Sequence, residues 1–195
     1  PVIHVSEYTL RTNWQIIDAS DANSLLKFRR KLWAWKAERQ CRYLIGISAG
    51  LQCNGLPTYQ AYREICPDAL LFFDNRVKQS DIITSESLAK KSNEVRAGKP
   101  LRLVFGGRFV PMKGVLQLPK VAQHLREAGV PFQLSIYGAC PEESKLRSTI
   151  SRYALDDQVS IFPPMDFDNG WVPFLKKTAD LFVCCHMQGD PSSTY

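Results

Sequence analysis

Leu101-Arg102-Leu103-Val104-Phe105-Gly106-Gly107-Arg108-Phe109-Val110-Pro111-Met112-Lys113-Gly114-Val115 opens as an apolar run, turns on two glycines and then places two cations five residues apart. The run Leu101 to Phe105, bounded by turn residues, reads as a buried strand, and Gly106-Gly107 bends the backbone where a side chain would block it. Pro119 to Ala128 reads as the next helix: Pro119 suits its first turn, Val121, Leu125 and Ala128 face the sheet, and Gly129 ends it. A strand, a glycine turn and a helix together make an anion site, because the helix points unpaired amides back at the strand end. Arg108 and Lys113 stand inside that turn, a combination that suits a diphosphate.

Outward from this stretch the pattern repeats. Phe132 to Tyr137 is a strand, Gly138-Ala139-Cys140-Pro141 a turn, and Leu146, Ile150 and Tyr153 mark one face of a helix. Val159 to Phe162 is a further strand, followed by Pro163-Pro164-Met165. Toward the amino terminus, Val2 to Ser6 reads as a strand with Glu7 at its carboxyl end, the side where open α/β sheets place ligands. Leu25, Phe28, Leu32 and Trp35 recur at helical spacing and predict an amphipathic helix over 24–39, with its basic residues on the solvated side. Tyr43 to Ile47 and Leu70 to Phe73 read as strands, with a helix starting near Pro57. Strand and helix alternate, so the fold class is α/β with parallel sheets. Lys78 to Pro100 is poor in apolar residues, and a linker is set at 86–99.

The 195 residues are 45% hydrophobic, enough for a core of one domain or two small ones. A net charge of +6 favours anionic partners without choosing among phosphates, lipids and nucleic acid. Six cysteines form no Cys-x-x-Cys pair and no zinc spacing, and fit buried thiols in a reducing compartment. Cys184 and Cys185 would face opposite ways on a strand, so no metal is expected there. No run has the length of a membrane span, and no signal peptide opens the chain. A P-loop is excluded because Lys113 precedes Gly114 instead of following a glycine and preceding Ser or Thr. A dinucleotide site lacks its Gly-x-Gly-x-x-Gly.

Gly107-Arg108 followed by Pro111-Met112-Lys113-Gly114 resembles the nucleotide-binding domain of retaining glycosyltransferases with two Rossmann-like domains, the GT-B fold of the group 1 or family 4 type. Trp171 to Lys177 and Ala179-Asp180-Leu181-Phe182-Val183 are similar to that family's Ala-Asp strand and the helix before it. The resemblance implies residues 1–85 as part of an acceptor-side domain and 100–195 as part of the donor-side domain, both incomplete, so that the chain is a fragment for which activity on its own is not implied. It implies sugar transfer from a nucleotide diphosphate sugar to an acceptor hydroxyl with retention, in polysaccharide or glycoconjugate synthesis. Gly107, Arg108 and Lys113 would hold the diphosphate, and Gly138, Pro163, Pro164 and Met165 the nucleotide. Asp190, Ser192 and Ser193 fall where the family has a Glu-x7-Glu motif around the donor sugar. Glu7 falls where many members place a histidine beside the sugar, which makes it the catalytic candidate. No cofactor or metal is implied. The partners are the donor and a glycan or lipid-linked acceptor, with a cytoplasmic location and peripheral contact at the inner membrane face. A sugar-nucleotide epimerase of the same fold and a basic nucleic-acid-binding or scaffold module stay open as alternatives.

Overall fold

The computed structural model describes residues 1–74, 76–139 and 141–189. It divides into two compact units, residues 1–76 with 187–189 and residues 77–186.

In the first unit β1 (Ile3–Ser6), β2 (Gly50–Asn54) and β3 (Ala69–Phe72) form a parallel sheet in that order. The register sets Ile3 opposite Gly50 and Cys53 opposite Leu71. Helices α1 (Leu10–Ala19), α2 (Ser24–Ile47) and α3 (Leu56–Tyr62) make the crossovers. Thr9 caps α1 by accepting from the Thr12 amide, and Asn23 caps α2 by accepting from the Leu26 amide, each leaving one fewer unpaired donor in the first turn. The small core is Ile45, Leu51, Cys53, Tyr62 and Cys66.

Two expectations fail here. Tyr43 to Ile47 is not a strand but the last turn and a half of α2. No proline stands between Gln40 and Ile47, and although Gly46 is a poor helix former, extending an existing helix past it gains a backbone bond per residue. The strand follows Ser48 and includes Gln52 and Asn54, polar residues that disguised it. The second failure is the apolar stripe of α2. Leu25, Phe28, Leu32 and Trp35 are exposed, and the stripe that packs is Lys27, Lys31, Ala34, Glu38, Cys41 and Ile45.

The second unit holds β4 (Leu101–Gly106), β5 (Phe132–Tyr137), β6 (Val159–Phe162) and β7 (Leu181–Phe182), a parallel sheet in the order β6-β5-β4-β7. Helices α4 (Ser85–Arg96), α5 (Leu118–Glu127), α6 (Glu143–Arg152) and α7 (Val172–Thr178) connect and cover it. Its core gathers alternate strand residues Leu103, Phe105, Leu134 and Ile136 with helix residues Leu118, Ala122, Leu146 and Ile150.

The segment set aside as a linker holds α4, which belongs to this second unit. Polar contacts fasten it. The Lys91 ammonium donates to the Leu175 and Ala179 carbonyls, and the Glu94 carboxylate pairs with Arg102. A helix held this way carries little of the hydrophobic periodicity by which helices are recognised.

Candidate functional site

From β4 the chain reaches β5 and then β6 on one side, and later returns as β7 on the other. The strand order therefore reverses between β4 and β7, and in open α/β sheets the carboxyl-terminal crevice at such a reversal is where ligands bind. Four loops leave the sheet at this end, and those after β4, β5 and β7 are the ones that border the reversal.

The β4 and β5 loops run side by side. The Gly107 amide donates to the Tyr137 carbonyl, the Phe109 amide to Ala139, and the Glu142 amide to the Phe109 carbonyl. Phe109 is fully buried and anchors the first loop in the core. A Cβ at Gly138 would stand 2.0 Å from the Gly107 carbonyl oxygen, so only glycine permits this approach. With Phe109 turned inward, its neighbour Arg108 is exposed at the loop surface.

The loop after β4 then meets the loop after β7. Gly114 has φ +67, and a Cβ there would stand 1.7 Å from the Cys185 carbonyl oxygen. Lys113, one residue earlier, is half-buried, and burial followed by the nearby Arg108 guanidinium pushes its ammonium below the ordinary lysine value, while Cys184 acts in the opposite direction. Two cations disfavouring each other in a partly desolvated crevice form a site that an anion would relieve.

In the β7 loop the His186 imidazole Nδ1 contacts the Cys184 thiol. Its Nε2 is buried and unpartnered. Burial first, and the Lys113 ammonium second, push His186 down to about 4, so it is neutral at pH 7. Sequence reading weighed this histidine only as a metal ligand beside Cys184 and Cys185 and set it aside, because its interest comes from Lys113, 73 positions away, and only the β4–β7 crevice brings them together.

Helix amides contribute less than the strand-turn-helix pattern predicts. Two 3-10 turns, Pro111–Lys113 and Val115–Gln117, intervene before α5, and the Lys113, Gly114 and Gln117 amides bond within them. That leaves the side chains of Arg108 and Lys113 as the main positive groups.

Pro163, Pro164 and Met165 follow β6, whose last carbonyl, Phe162, accepts from the Gly138 amide. Met165 packs against Gly170 in a π-helical turn, Phe167–Trp171. Beside it Tyr137 stacks on Phe162 at 4.9 Å and meets Trp171 and Phe174 edge-on or tilted. Asp180 fixes β7 in place: it accepts from the Arg102 amide and forms two further bonds to the Arg102 guanidinium. Those bonds hold its carboxyl below the usual carboxylate value.

Glu7 lies in the other unit, exposed after β1. His4 on the same strand is half-buried, with Nε2 3.5 Å from the Cys41 sulfur. Asp190, Ser192 and Ser193 lie outside the described residues. Among the described residues no cluster of three His, Cys, Asp or Glu side chains could hold a metal ion.

Residues 87–190 match the family described as Glycosyl transferases group 1, more than half of the chain. The chain belongs to this family. No curated protein matches it. Among solved structures it is similar to sucrose-phosphate synthase from Thermosynechococcus elongatus, at TM-score 0.58 and 14% identity over 96% of this chain and 45% of that one. It is also similar to Anabaena HepE in complex with UDP-glucose, at TM-score 0.58 and 13% identity over 98% and 48%. S. aureus TarM, in a complex that includes UDP, gives TM-score 0.55 and 15% identity over 79% and 29%. These likenesses establish the architecture, α/β with parallel sheets resembling GT-B glycosyltransferase domains. The chain spans less than half the length of each of these three structures.

Proposed function

We propose that this group 1 glycosyltransferase chain supplies the donor site of an enzyme that moves a sugar from a nucleotide diphosphate sugar to an acceptor hydroxyl with retention of configuration. The supporting observation is the pair Arg108 and Lys113 on a loop that opens into the β4–β7 crevice. When the sugar–oxygen bond breaks, the electron pair stays on the diphosphate, and negative charge grows where these two cations stand. A charge-assisted hydrogen bond contributes roughly 1.5 to 3 kcal/mol, so losing the Arg108 guanidinium should weaken donor binding or turnover by about 10- to 150-fold. In this reading Gly138 and the Pro163–Met165 loop border the nucleotide, and Asp190, Ser192 and Ser193 approach the donor sugar and phosphates. Residues 1–76 are the acceptor side, where Glu7 would hydrogen-bond a sugar or acceptor hydroxyl. The reaction calls for no metal, because two cations already face the leaving group. Uridine is the first base to try, since HepE and TarM were both solved with UDP or its glucose ester.

Calorimetric titration with UDP, GDP, ADP and TDP, with Arg108→Ala as the paired variant, tests this. Selective binding of one diphosphate, weakened at least about tenfold in the variant and unchanged by a chelator, is the expected outcome. Equal binding by both proteins would overturn the assignment of Arg108.

A further inference from the structure

His186 has one ring nitrogen engaged and the other idle. Its Nδ1 contacts the Cys184 sulfur, while Nε2, across the ring, is buried and has no hydrogen-bond partner. A buried polar atom left this way is costly and calls for a physical reason. The backbone keeps the ring in the crevice all the same. There is no room for a Cβ between Gly114 and the Cys185 carbonyl, and that approach sets Lys113 on one loop beside Cys184 and His186 on the other. Among the described residues Lys113 is the charged group that acts on the imidazole, and Arg108 stands behind Lys113. Cys185, on the same loop as His186, packs on the core, where burial pushes its thiol up and keeps it neutral. With only cations and thiols around it, the imidazole is a base held back.

A diphosphate reverses that balance. Negative charge placed on Arg108 and Lys113 offsets the ammonium and favours the imidazolium, which then carries an N–H at both nitrogens. The Nδ1 side already has the Cys184 sulfur, and a phosphate oxygen gives the idle Nε2–H its acceptor. We propose that His186 takes up a proton from solvent as a nucleotide diphosphate sugar binds, and becomes the third positive group on its diphosphate. The inference rests on the donor-site reading above and adds to it a residue and a pH dependence. A group that gains a proton on binding makes binding tighter as pH falls through the range between its free and bound values. The two cations without the histidine would give no such gain.

Calorimetry on the full chain tests this, with UDP-glucose as the probe and ADP-glucose, GDP-glucose and TDP-glucose beside it. Their phosphates are diesters with no weakly acidic proton, whereas the terminal phosphate of free UDP would titrate by itself. Titrations in two buffers of different ionisation enthalpy give the protons bound per ligand. Uptake should be about half a proton or more near pH ~5 and almost none at about 7.5, and affinity should be about 3- to 10-fold higher at the lower pH. His186→Gln should lose the uptake and the gain together. A second reading needs only the parent protein. The chain has three histidines, and ligand should raise the NMR titration midpoint of the imidazole signal that is missing from His186→Gln. Binding that Arg108→Ala weakens but that takes up no proton would overturn this proposal and leave the donor site standing. Uptake that survives in His186→Gln, or a His186 midpoint that ligand does not move, would overturn it as well. No saturable binding of any of the four sugars, or binding indifferent to Arg108→Ala, would remove the donor site and this inference with it.

Discussion

Residues 77–186 and residues 1–76 use the same parallel α/β scheme, but their apolar residues meet different fates. In the first span the leucines and isoleucines that recur at strand and helix spacing are buried, among them Leu134, Ile136, Leu146 and Ile150. In the second, the apolar row Leu25, Phe28, Leu32 and Trp35 faces outward and a smaller cluster around Leu51 and Tyr62 forms the core. Periodicity shows that a helix has an apolar side. What covers that side depends on which neighbour the fold brings to it, and α2 is held through Lys27 and Lys31 on Asp18, Glu38 on the Tyr62 hydroxyl and Cys41 beside His4 instead.

The largest expected effect tests this contrast directly. Leu134→Ala should cost about 2 to 5 kcal/mol in denaturant unfolding through transfer and cavity terms. Leu25→Ala should stay within about 0.5 kcal/mol. Equal costs would erase the distinction between the two leucines. Next in size is Gly114→Ala, where a left-handed backbone and the Cys185 carbonyl both oppose a Cβ. A loss of about 2 kcal/mol is expected, together with weaker nucleotide binding, because the β4 and β7 loops must part.

Asp180→Asn should cost about 1.5 kcal/mol, at the low end for charged hydrogen bonds because Arg102 is partly exposed. The Asp180 carboxyl is held below its ordinary value, so its contribution is present above that value and is lost as pH falls through the folded one. The variant should therefore show a shallower acid loss of stability. The last effect is a proton equilibrium at His186, read by titration and not by substitution. The folded chain keeps it neutral down to about 4, while the unfolded chain takes up the proton near the usual 6.5. Its share of stability is thus present above 6.5 and lost as pH falls toward 4. An NMR titration should place its midpoint near 4, and a bound diphosphate, by offsetting Lys113, should raise it.

The sequence made β4, β5 and β6 legible to within a residue, because each is a short apolar run between turn signals. It also pointed to Arg108 and Lys113 as the cations of one loop. It misplaced β2, since the apolar run before Ser48 continues a helix and the true strand carries Gln52 and Asn54. It treated α4 as a linker because Lys91 and Glu94 fasten that helix without an apolar stripe. His186 was out of reach for a different reason, as no local pattern records that a loop 73 residues from Lys113 closes the same crevice.

The most direct test of the donor site is an amide chemical-shift map of the full chain during titration with UDP. Shifts should concentrate at Gly107 to Gly114, at Gly138 and at Cys184 to His186, and leave Ser24 to Ile47 unmoved. Saturable binding that shifts other residues and spares the loops after β4 and β7 would contradict the account.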